Sequence, residues 1–175
     1  MSSLKVPVTS ADHSQGPENA PLTVVEYGDY QCPGCGQAYP IVKQIQKHFG
    51  KRLRFVFRNF PLNESHPEAE SAAETAEFAG ARGKFWQMHD ALYENQDRLG
   101  VELYGTLAKK LGLSQPDLEA SLEAGTRSER VRADFSGGVR GGVNAHRRST
   151  SMEYGMTRLS ISRRCRRRYN MPLKS

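Results

Sequence analysis

The chain has 175 residues, of which 37% are hydrophobic and 25% charged, which is enough for one domain with a sizeable core and excludes a chain that is disordered throughout. The formal net charge is +6, but residues 145–175 hold nine of the 25 Lys and Arg residues and only one of the 19 acidic residues. Residues 1–144 are therefore slightly acidic, so their charge gives no reason to expect a nucleic acid or an anionic membrane as a partner.

Residues 1–15 form a polar N-terminal lead. They contain no apolar stretch of the kind that a secretory signal needs, and the chain has no run of about 18 apolar residues that would predict a transmembrane helix. Three cysteines, two of them in one C-x-x-C pair, are too few for the disulfide framework of a small secreted protein. We expect a cytoplasmic protein, or an exported one if an upstream targeting segment is missing.

Residues 16–62 alternate between strand and helix patterns. The apolar, β-branched run at residues 22–25, together with Tyr27, predicts a short buried strand, and the run RLRFVFRNF, which begins at Arg52, predicts a second strand that ends at Pro61. Between them we expect an amphipathic helix that Pro40 kinks and Gly50 ends. Its apolar positions are Ala38, Ile41, Val42, Ile45 and Phe49. Strand, helix and strand in this order predict a βαβ unit with parallel strands and a right-handed crossover.

Residues 63–135 have a helical pattern throughout. Of the four helices predicted, the first two carry apolar stripes, the third ends near Leu111, and the fourth begins with Ser114 as its N-cap and Pro116 in its first turn. The stripes consist of Ala72, Ala76, Phe78 and Ala79, and of Phe85, Met88, Leu92 and Tyr93. We therefore predict an α/β fold with an all-helical insertion after the second strand, and a return to the first unit at residues 136–144.

The motif Cys32-Pro33-Gly34-Cys35 follows the first predicted strand and opens the first predicted helix. At a helix N-terminus, unpaired backbone N–H groups and the positive end of the helix dipole favour a thiolate over a thiol. A lowered pKa makes Cys32 the attacking sulfur. Cys35, one turn into the helix, faces the same side and is placed to resolve a mixed disulfide. A C-x-x-C motif beside a βαβ pattern thus predicts a thioredoxin-like redox centre.

Two other interpretations of the cysteine pair remain open, namely a zinc half-site and a pair of inert buried thiols. Structural zinc takes four ligands, and the sequence offers only Cys165 and five histidines, none of them paired at the usual spacing. The sequence also lacks nucleotide-binding glycine motifs and an H-E-x-x-H motif. We therefore expect neither a metal ion nor another cofactor. Packing in the core, rather than cofactor binding, is the interpretation that we prefer for Phe85, Trp86, Met88, His89 and His66.

Glu26 lies six positions before Cys32, inside the first predicted strand. One interpretation is a carboxylate that faces water at the strand end. The other is a buried acid beneath the cysteine pair, with a raised pKa, that moves the proton when Cys35 is deprotonated. Asp29 is a second candidate for the latter role.

Three blocks, VVEYGDYQCPGC, AETAEFAGARGKFWQMHDALYENQ and GGVRGGVN, resemble the DsbA-like thiol–disulfide oxidoreductases, of the subgroup found in soluble proteins and sometimes appended to membrane antiporters. The resemblance covers roughly residues 12–144 and implies a thioredoxin fold with a helical domain inserted after the second strand. It also implies that Cys32 is the nucleophile, Cys35 the resolving cysteine and Glu26 the buried acid. Strongly oxidising members resemble C-P-H-C, and Gly34 removes that histidine, so we expect a less oxidising couple.

The resemblance stops after Asn144. In the family, the run that corresponds to GGVN is followed by Gly-Thr-Pro-Thr-Phe, whose cis-proline loop packs on the cysteine pair, and then by two strands and a helix. Here AHRRSTSMEY follows, and one base added to a coding sequence for this run restores Gly-Thr-Pro-Thr-Phe. We therefore interpret residues 145–175 as an aberrant basic tail that is read in a shifted frame, with the C-terminal strands missing or altered.

The resulting prediction is a dithiol–disulfide oxidoreductase that exchanges disulfides with protein or small-molecule thiols through Cys32 and Cys35. One alternative is an inactive, incomplete protein of the same fold, because a sheet without its last strands has an open edge. The other is a binding module whose basic tail takes nucleic acid or an anionic surface. We expect no specific nucleic-acid partner and no membrane span, and the sequence predicts no particular oligomeric state.

Overall fold

Three strands and six α-helices follow one another in the computed structural model, which describes residues 6–143. Two strands, β1 (His13–Gln15) and β2 (Leu22–Gly28), lead to helix α1 (Pro33–Phe49), a 3-10 turn at Gly50–Arg52 and strand β3 (Leu53–Asn59). The helices that follow β3 are α2 (Ala69–Gly80), α3 (Phe85–Glu94), α4 (Val101–Lys110), α5 (Gln115–Glu123) and α6 (Ser128–Gly141), with a 3-10 turn at Gln96–Arg98 after α3. This is the predicted α/β arrangement with an all-helical insertion after the βαβ unit.

The strands of the described chain form one sheet in the order β1-β3-β2. β2 and β3 run parallel, from the pair Leu22 and Leu53 to the pair Gly28 and Asn59, which confirms the parallel strands of the predicted βαβ unit. β1 runs antiparallel to β3, opposite residues 55–57. The sequence does not predict β1, because His-Ser-Gln in a polar lead has no apolar alternation and no β-branched residue. Pairing with β3 alone makes this segment a strand.

Both faces of the sheet are covered. On one face, Val24 and Phe57 belong to a large apolar cluster that includes residues of α1 and of the inserted helices. On the other face, Val25 and Val56 pack in a smaller cluster with Phe60. A side chain in the middle of β2 therefore has no face that is open to water. The same double coverage explains why both strands are continuous apolar runs in the sequence.

Helix α1 has the predicted end but not the whole predicted apolar stripe. Gly50 takes a positive φ of 51° directly after the helix, and Pro40 lies inside the helix without ending it. The stripe residues that are buried are Ala38, Val42 and Phe49. Ile41 is 42% exposed, so its predicted inward position is wrong.

The inserted helices differ from the prediction in number and extent. Five helices, α2 to α6, take the place of the four predicted ones. α5 begins as expected, with the Ser114 hydroxyl accepting a backbone N–H of the first turn at 3.3 Å. α6 continues past residue 135, where the predicted insertion ends, and stops before Gly142 in the left-handed conformation (φ 79°). Asp134 of α6 accepts the backbone N–H of Asn59 at 3.0 Å, which ties this helix to the end of β3.

Residues 1–5 and 144–175 lie outside the described part of the chain. The predicted shift of reading frame, the basic tail and the altered C-terminal strands fall on these residues. The division into segments 1–15, 16–62, 63–135, 136–144 and 145–175 stays a prediction. Among residues 6–143, no helix combines the length and the apolar character that crossing a lipid bilayer requires.

Candidate active site

Cys32 stands at the junction between the turn that follows β2 and helix α1. It is the N-cap of α1, with extended backbone angles (φ −68°, ψ 120°), and Pro33 is the first helical residue. The carbonyl oxygen of Cys32 accepts the N–H of Gly36 at 3.1 Å, which starts the hydrogen bonding of the helix. Cys32 is 7% exposed, whereas Cys35, one turn further on, is fully buried, and no disulfide joins the two residues. The structure thus places both cysteines at the strand–helix junction, where the sequence predicts them.

The two thiols differ in acidity. The pKa of Cys32 falls to about 6, chiefly because the Cys35 thiol donates a hydrogen bond to it, with further help from the backbone N–H groups of Cys35 and Gly34. Burial and the charge of Asp29 act in the opposite direction. The pKa of Cys35 rises well above its ordinary value. Its thiol proton is held in the hydrogen bond to the sulfur of Cys32, and burial and the charge of Cys32 disfavour a second thiolate. At neutral pH, Cys32 is therefore mainly a thiolate and Cys35 a thiol.

Glu26 lies in the middle of β2 and is only 2% exposed. The interpretation of Glu26 as a carboxylate facing water is therefore wrong, because both faces of the sheet are covered. Burial raises the pKa of Glu26 to about 8, so this side chain is mainly protonated at neutral pH. The charge of Glu26, when present, raises the pKa of Cys35, so the two groups lie within electrostatic reach of each other. The role of Glu26 in moving the Cys35 proton stays a prediction.

Asp29 holds the turn before α1. Its Oδ1 atom accepts the backbone N–H groups of Gln31 at 2.8 Å and Cys32 at 3.2 Å. Its Oδ2 atom accepts the N–H of Leu62 at 3.0 Å and lies 2.7 Å from Nδ1 of His66. Both carboxylate oxygens are thus occupied by partners that join the end of β2 to the loop between β3 and α2. This position suits a residue that holds the turn better than one that moves the proton of the buried cysteine.

Packing is the wrong interpretation for His66 and the right one for His89. His66 lies in the loop before α2, its side chain is 18% exposed, and its imidazole pairs with Asp29. His89 is 4% exposed, burial lowers its pKa to about 3, and its ring packs edge-on against Phe57. No sequence pattern distinguishes these histidines, since the partner of His66 lies 37 positions away. The other predicted packing residues, Phe85, Trp86 and Met88, belong to the large apolar cluster or pack against it.

Gln96 is a further residue at the site that the sequence does not single out. It lies in the 3-10 turn after α3, and its side-chain amide donates to the carbonyl oxygens of Tyr30 at 2.7 Å and Cys32 at 2.8 Å. The turn that carries Cys32 therefore has Asp29 on its N–H groups and Gln96 on its carbonyl groups. The spacing of more than sixty positions between Gln96 and its partners leaves no local signal to find it.

Residues 6–143 bring no three His, Cys, Asp or Glu side chains together in a way that would hold a metal ion. The zinc interpretation of the cysteine pair therefore has no ligand set within this part of the chain. Cys165, the third cysteine, lies outside the described residues.

The chain is similar to known proteins. A family model described as Thioredoxin matches residues 8–145. The Na⁺/H⁺ antiporter NhaA 1 of Salinispora arenicola is 43% identical over 136 residues, which make up 77% of this chain and 21% of the relative. The Na⁺/H⁺ antiporter NhaA of Herminiimonas arsenicoxydans is 37% identical over 134 residues, again 77% of this chain and 21% of the relative. The chain thus spans about a fifth of the length of these curated relatives.

Solved structures share the fold. Oxidised BdbD from Bacillus subtilis superposes with a TM-score of 0.72 at 28% identity, over 79% of this chain and 80% of BdbD. α-DsbA1 from Wolbachia pipientis superposes with a TM-score of 0.66 at 19% identity, over 82% of this chain and 77% of α-DsbA1. These likenesses confirm the thioredoxin-like fold, which the chain shares with DsbA-like proteins. Since the family model covers well over half of the residues, the chain belongs to the thioredoxin family.

Proposed function

We propose that this protein is a thiol–disulfide oxidoreductase that exchanges disulfides through Cys32 and Cys35. The observation that carries this proposal is the difference in acidity between the two sulfur atoms. Cys32, at the N-terminus of α1, has a pKa of about 6, while the buried Cys35 keeps its proton. Two thiols that only pack in a core do not require different pKa values. Membership of the thioredoxin family supports the same reaction.

In the proposed reaction, the Cys32 thiolate attacks one sulfur atom of a substrate disulfide. A mixed disulfide between Cys32 and the substrate forms, and the other substrate sulfur leaves as a thiolate. Cys35 then gives up its proton, and its thiolate attacks Sγ of Cys32. The Cys32–Cys35 disulfide forms and the second substrate sulfur leaves. The substrate is reduced by two electrons and the cysteine pair is oxidised, and the reverse sequence oxidises a substrate dithiol.

We propose that Glu26 accepts the proton that Cys35 gives up. A pKa of about 8 lies close to neutral pH, so the carboxylate is populated enough to accept a proton and basic enough to hold it. The burial of Glu26 and its electrostatic reach to Cys35 support this role. In the reverse reaction, the same acid returns the proton to Cys35 as the protein disulfide opens.

The substrates that we propose are protein or small-molecule thiols and disulfides. Gly34 between the cysteines supports a couple that is less oxidising than one with histidine at this position, because an imidazolium would stabilise the Cys32 thiolate further. The cytoplasmic location stays an expectation. Cell fractionation with an antibody against this protein tests it.

The experiment that tests the proposed function is a pH titration of Cys32. The ultraviolet absorbance of the thiolate and the rate of alkylation, measured on the reduced protein between about pH 4 and 9, are expected to show a midpoint near pH 6 that disappears in Cys32→Ser. We also expect the reduced protein to reduce a disulfide-bonded test substrate. Titration of Cys32 at the pH of an ordinary free thiol would overturn the proposal.

We also propose that residues 145–175 are read in a shifted frame. The match of the family model ends at residue 145, one residue after the position at which the resemblance in sequence stops, which supports this proposal. Sequencing the gene across codons 140–160 is expected to reveal a missing base whose return restores Gly-Thr-Pro-Thr-Phe. An intact reading frame would favour the alternative of a binding module with a basic tail, for which salt-sensitive DNA binding that is lost on truncation at Asn144 is the test.

A further inference from the structure

Gln96 contacts the turn that presents Cys32, although it lies outside the βαβ unit. Its amide nitrogen is 2.7 Å from the carbonyl oxygen of Tyr30 and 2.8 Å from the carbonyl oxygen of Cys32. Both partners are acceptors, so the side-chain amide must turn its NH₂ group towards them. One side chain of the insertion thus satisfies two backbone carbonyl groups on either side of Gln31.

These two carbonyl groups belong to the same turn whose N–H groups Asp29 accepts. Asp29 binds the N–H groups of Gln31 and Cys32, and Gln96 binds the carbonyl groups of Tyr30 and Cys32. The three peptide units before the helix are therefore held by side chains through both kinds of backbone group. A turn held in this way has little freedom to rotate the Cys32 sulfur away from the first turn of α1.

Gly36 leaves the space that the Gln96 amide occupies. A Cβ atom at position 36 would lie 2.0 Å from Oε1 of Gln96, far inside van der Waals contact. Gly36 is helical, without a positive φ, so space and not backbone conformation is what calls for glycine here. Gly36 and Gln96 therefore form one steric pair, a residue without a side chain on α1 and an amide that fills its place.

We propose that Gln96 is a positioning residue for the reaction of Cys32, which acts by holding the carbonyl groups of Tyr30 and Cys32. This inference rests on the proposed function, because it concerns the same sulfur atom. Loss of the amide removes this donor from the Tyr30 carbonyl oxygen, leaves the Cys32 carbonyl oxygen with the N–H of Gly36, and loosens the turn near the thiolate. Both effects disfavour the negative charge on Cys32, so its pKa rises in variants that lack the amide.

The first experiment compares Gln96→Ala with Gln115→Ala. Gln115 is a matched control, since it is also half-buried in the insertion and also fills the space beside a glycine: a Cβ on Gly105 would lie 2.8 Å from its side chain. Its amide donates to Glu119 and not to the turn. At about pH 5, alkylation of Cys32 is expected to slow about three- to tenfold in Gln96→Ala, because below the pKa a thiol that is a tenfold weaker acid has about a tenfold smaller thiolate fraction. Gln115→Ala should leave the rate unchanged. Equal rates in the two variants would overturn the proposal.

The second experiment substitutes Gly36, the other member of the steric pair. The test therefore does not depend on whether Gln96→Ala alone folds. Gly36→Ala pushes the amide away from the turn and is expected to slow alkylation at about pH 5 by a similar factor. In the double variant Gly36→Ala with Gln96→Ala, the rate should equal that of Gln96→Ala, because the contact is already lost. Additive slowing in the double variant would overturn the proposal, since the two residues would then act independently. The thermal midpoint of each variant shows whether it is folded.

The titratable groups around Cys32 stay unchanged in all of these variants. They are Cys35 and Asp29 and, further away, Glu26 and His66. A failure of the proposed function is recognisable separately, because the unmodified protein itself would then titrate as an ordinary thiol. An unmodified protein with a midpoint near pH 6 and a Gln96→Ala variant with the same midpoint would contradict the role of Gln96 alone.

Discussion

The segment from β2 to α1 and the helices that follow β3 meet at the turn before Cys32, but they bring different groups to it. The first segment supplies the two sulfur atoms, the helix N-terminus and the buried acid Glu26. The region after β3 supplies His66, which pairs with Asp29, and Gln96, which binds two carbonyl groups of the turn. The groups to which we assign a role in the reaction thus come from one short stretch of chain, and the groups that hold the turn come in part from a distant one. Substitutions in the two regions should therefore differ in kind.

Substitution of the cysteines should have the largest effect. Cys32→Ser is expected to reduce disulfide exchange to the uncatalysed background, because the nucleophile is lost. Cys35→Ser should still attack substrate but fail to release it, so a mixed disulfide accumulates. Mass spectrometry of each variant after incubation with a disulfide substrate measures both outcomes. A mixed disulfide that forms on Cys32→Ser instead would reverse the assigned roles.

Glu26→Gln should slow the reaction and stabilise the fold. Loss of the proton acceptor is expected to slow closure of the Cys32–Cys35 disulfide about ten- to a hundredfold. The pKa of Glu26 is about 8 in the folded protein against an ordinary value of 4.5. The folded state therefore binds a proton that the unfolded state has lost, so the stability of the unmodified protein falls as the pH rises from about 4.5 to about 8.

At pH 7 this linkage costs about 3 kcal/mol, which the glutamine variant avoids. Denaturant unfolding at about pH 4 and pH 7 measures this effect. The stability gained by the glutamine variant should be larger at pH 7 than at pH 4. A gain that does not change with pH would show that Glu26 does not titrate in this range.

His66→Ala should have a smaller effect on Cys32, through Asp29. Without the imidazole, the Asp29 carboxylate loses a hydrogen-bond partner, and its charge raises the pKa of Cys32 further. Alkylation at about pH 5 is expected to slow about two- to fivefold, and the fold should lose about 1–3 kcal/mol. His48→Ala is the control, because His48 is exposed near the far end of α1. Equal alkylation rates in the two variants would remove His66 from the site.

Ser114→Ala should have the smallest effect and none on Cys32. The hydroxyl caps α5 and has no hydrogen bond to the turn before Cys32, so its loss is expected to cost about 1 kcal/mol of folding free energy. Denaturant unfolding measures this cost, and the alkylation rate of Cys32 should stay unchanged. A slower rate in Ser114→Ala would mean that the whole insertion, and not particular side chains, controls the reactivity of Cys32.

The core of the site could be predicted because its signals are local. A β-branched run, a C-x-x-C motif and a helical apolar period follow one another within about thirty residues, and each depends on neighbours in the chain. Glu26 has two interpretations in the sequence, because a strand pattern alone does not say whether one face of the sheet or both are covered. β1 could not be predicted for a related reason, since a polar tripeptide becomes a strand only when β3 lies beside it.

The sequence alone was enough to place two cysteines at a strand–helix junction, with the helix N-terminus beside Cys32. The groups around the two cysteines come together only through tertiary packing. It buried Glu26 between two covered faces, paired His66 with Asp29, and brought Gln96 to the carbonyl groups of the turn. The physical reason is the separation along the chain of the residues that interact. Helix and strand periods and helix ends follow from adjacent residues, whereas burial and hydrogen bonds between distant segments exist only after the chain has packed.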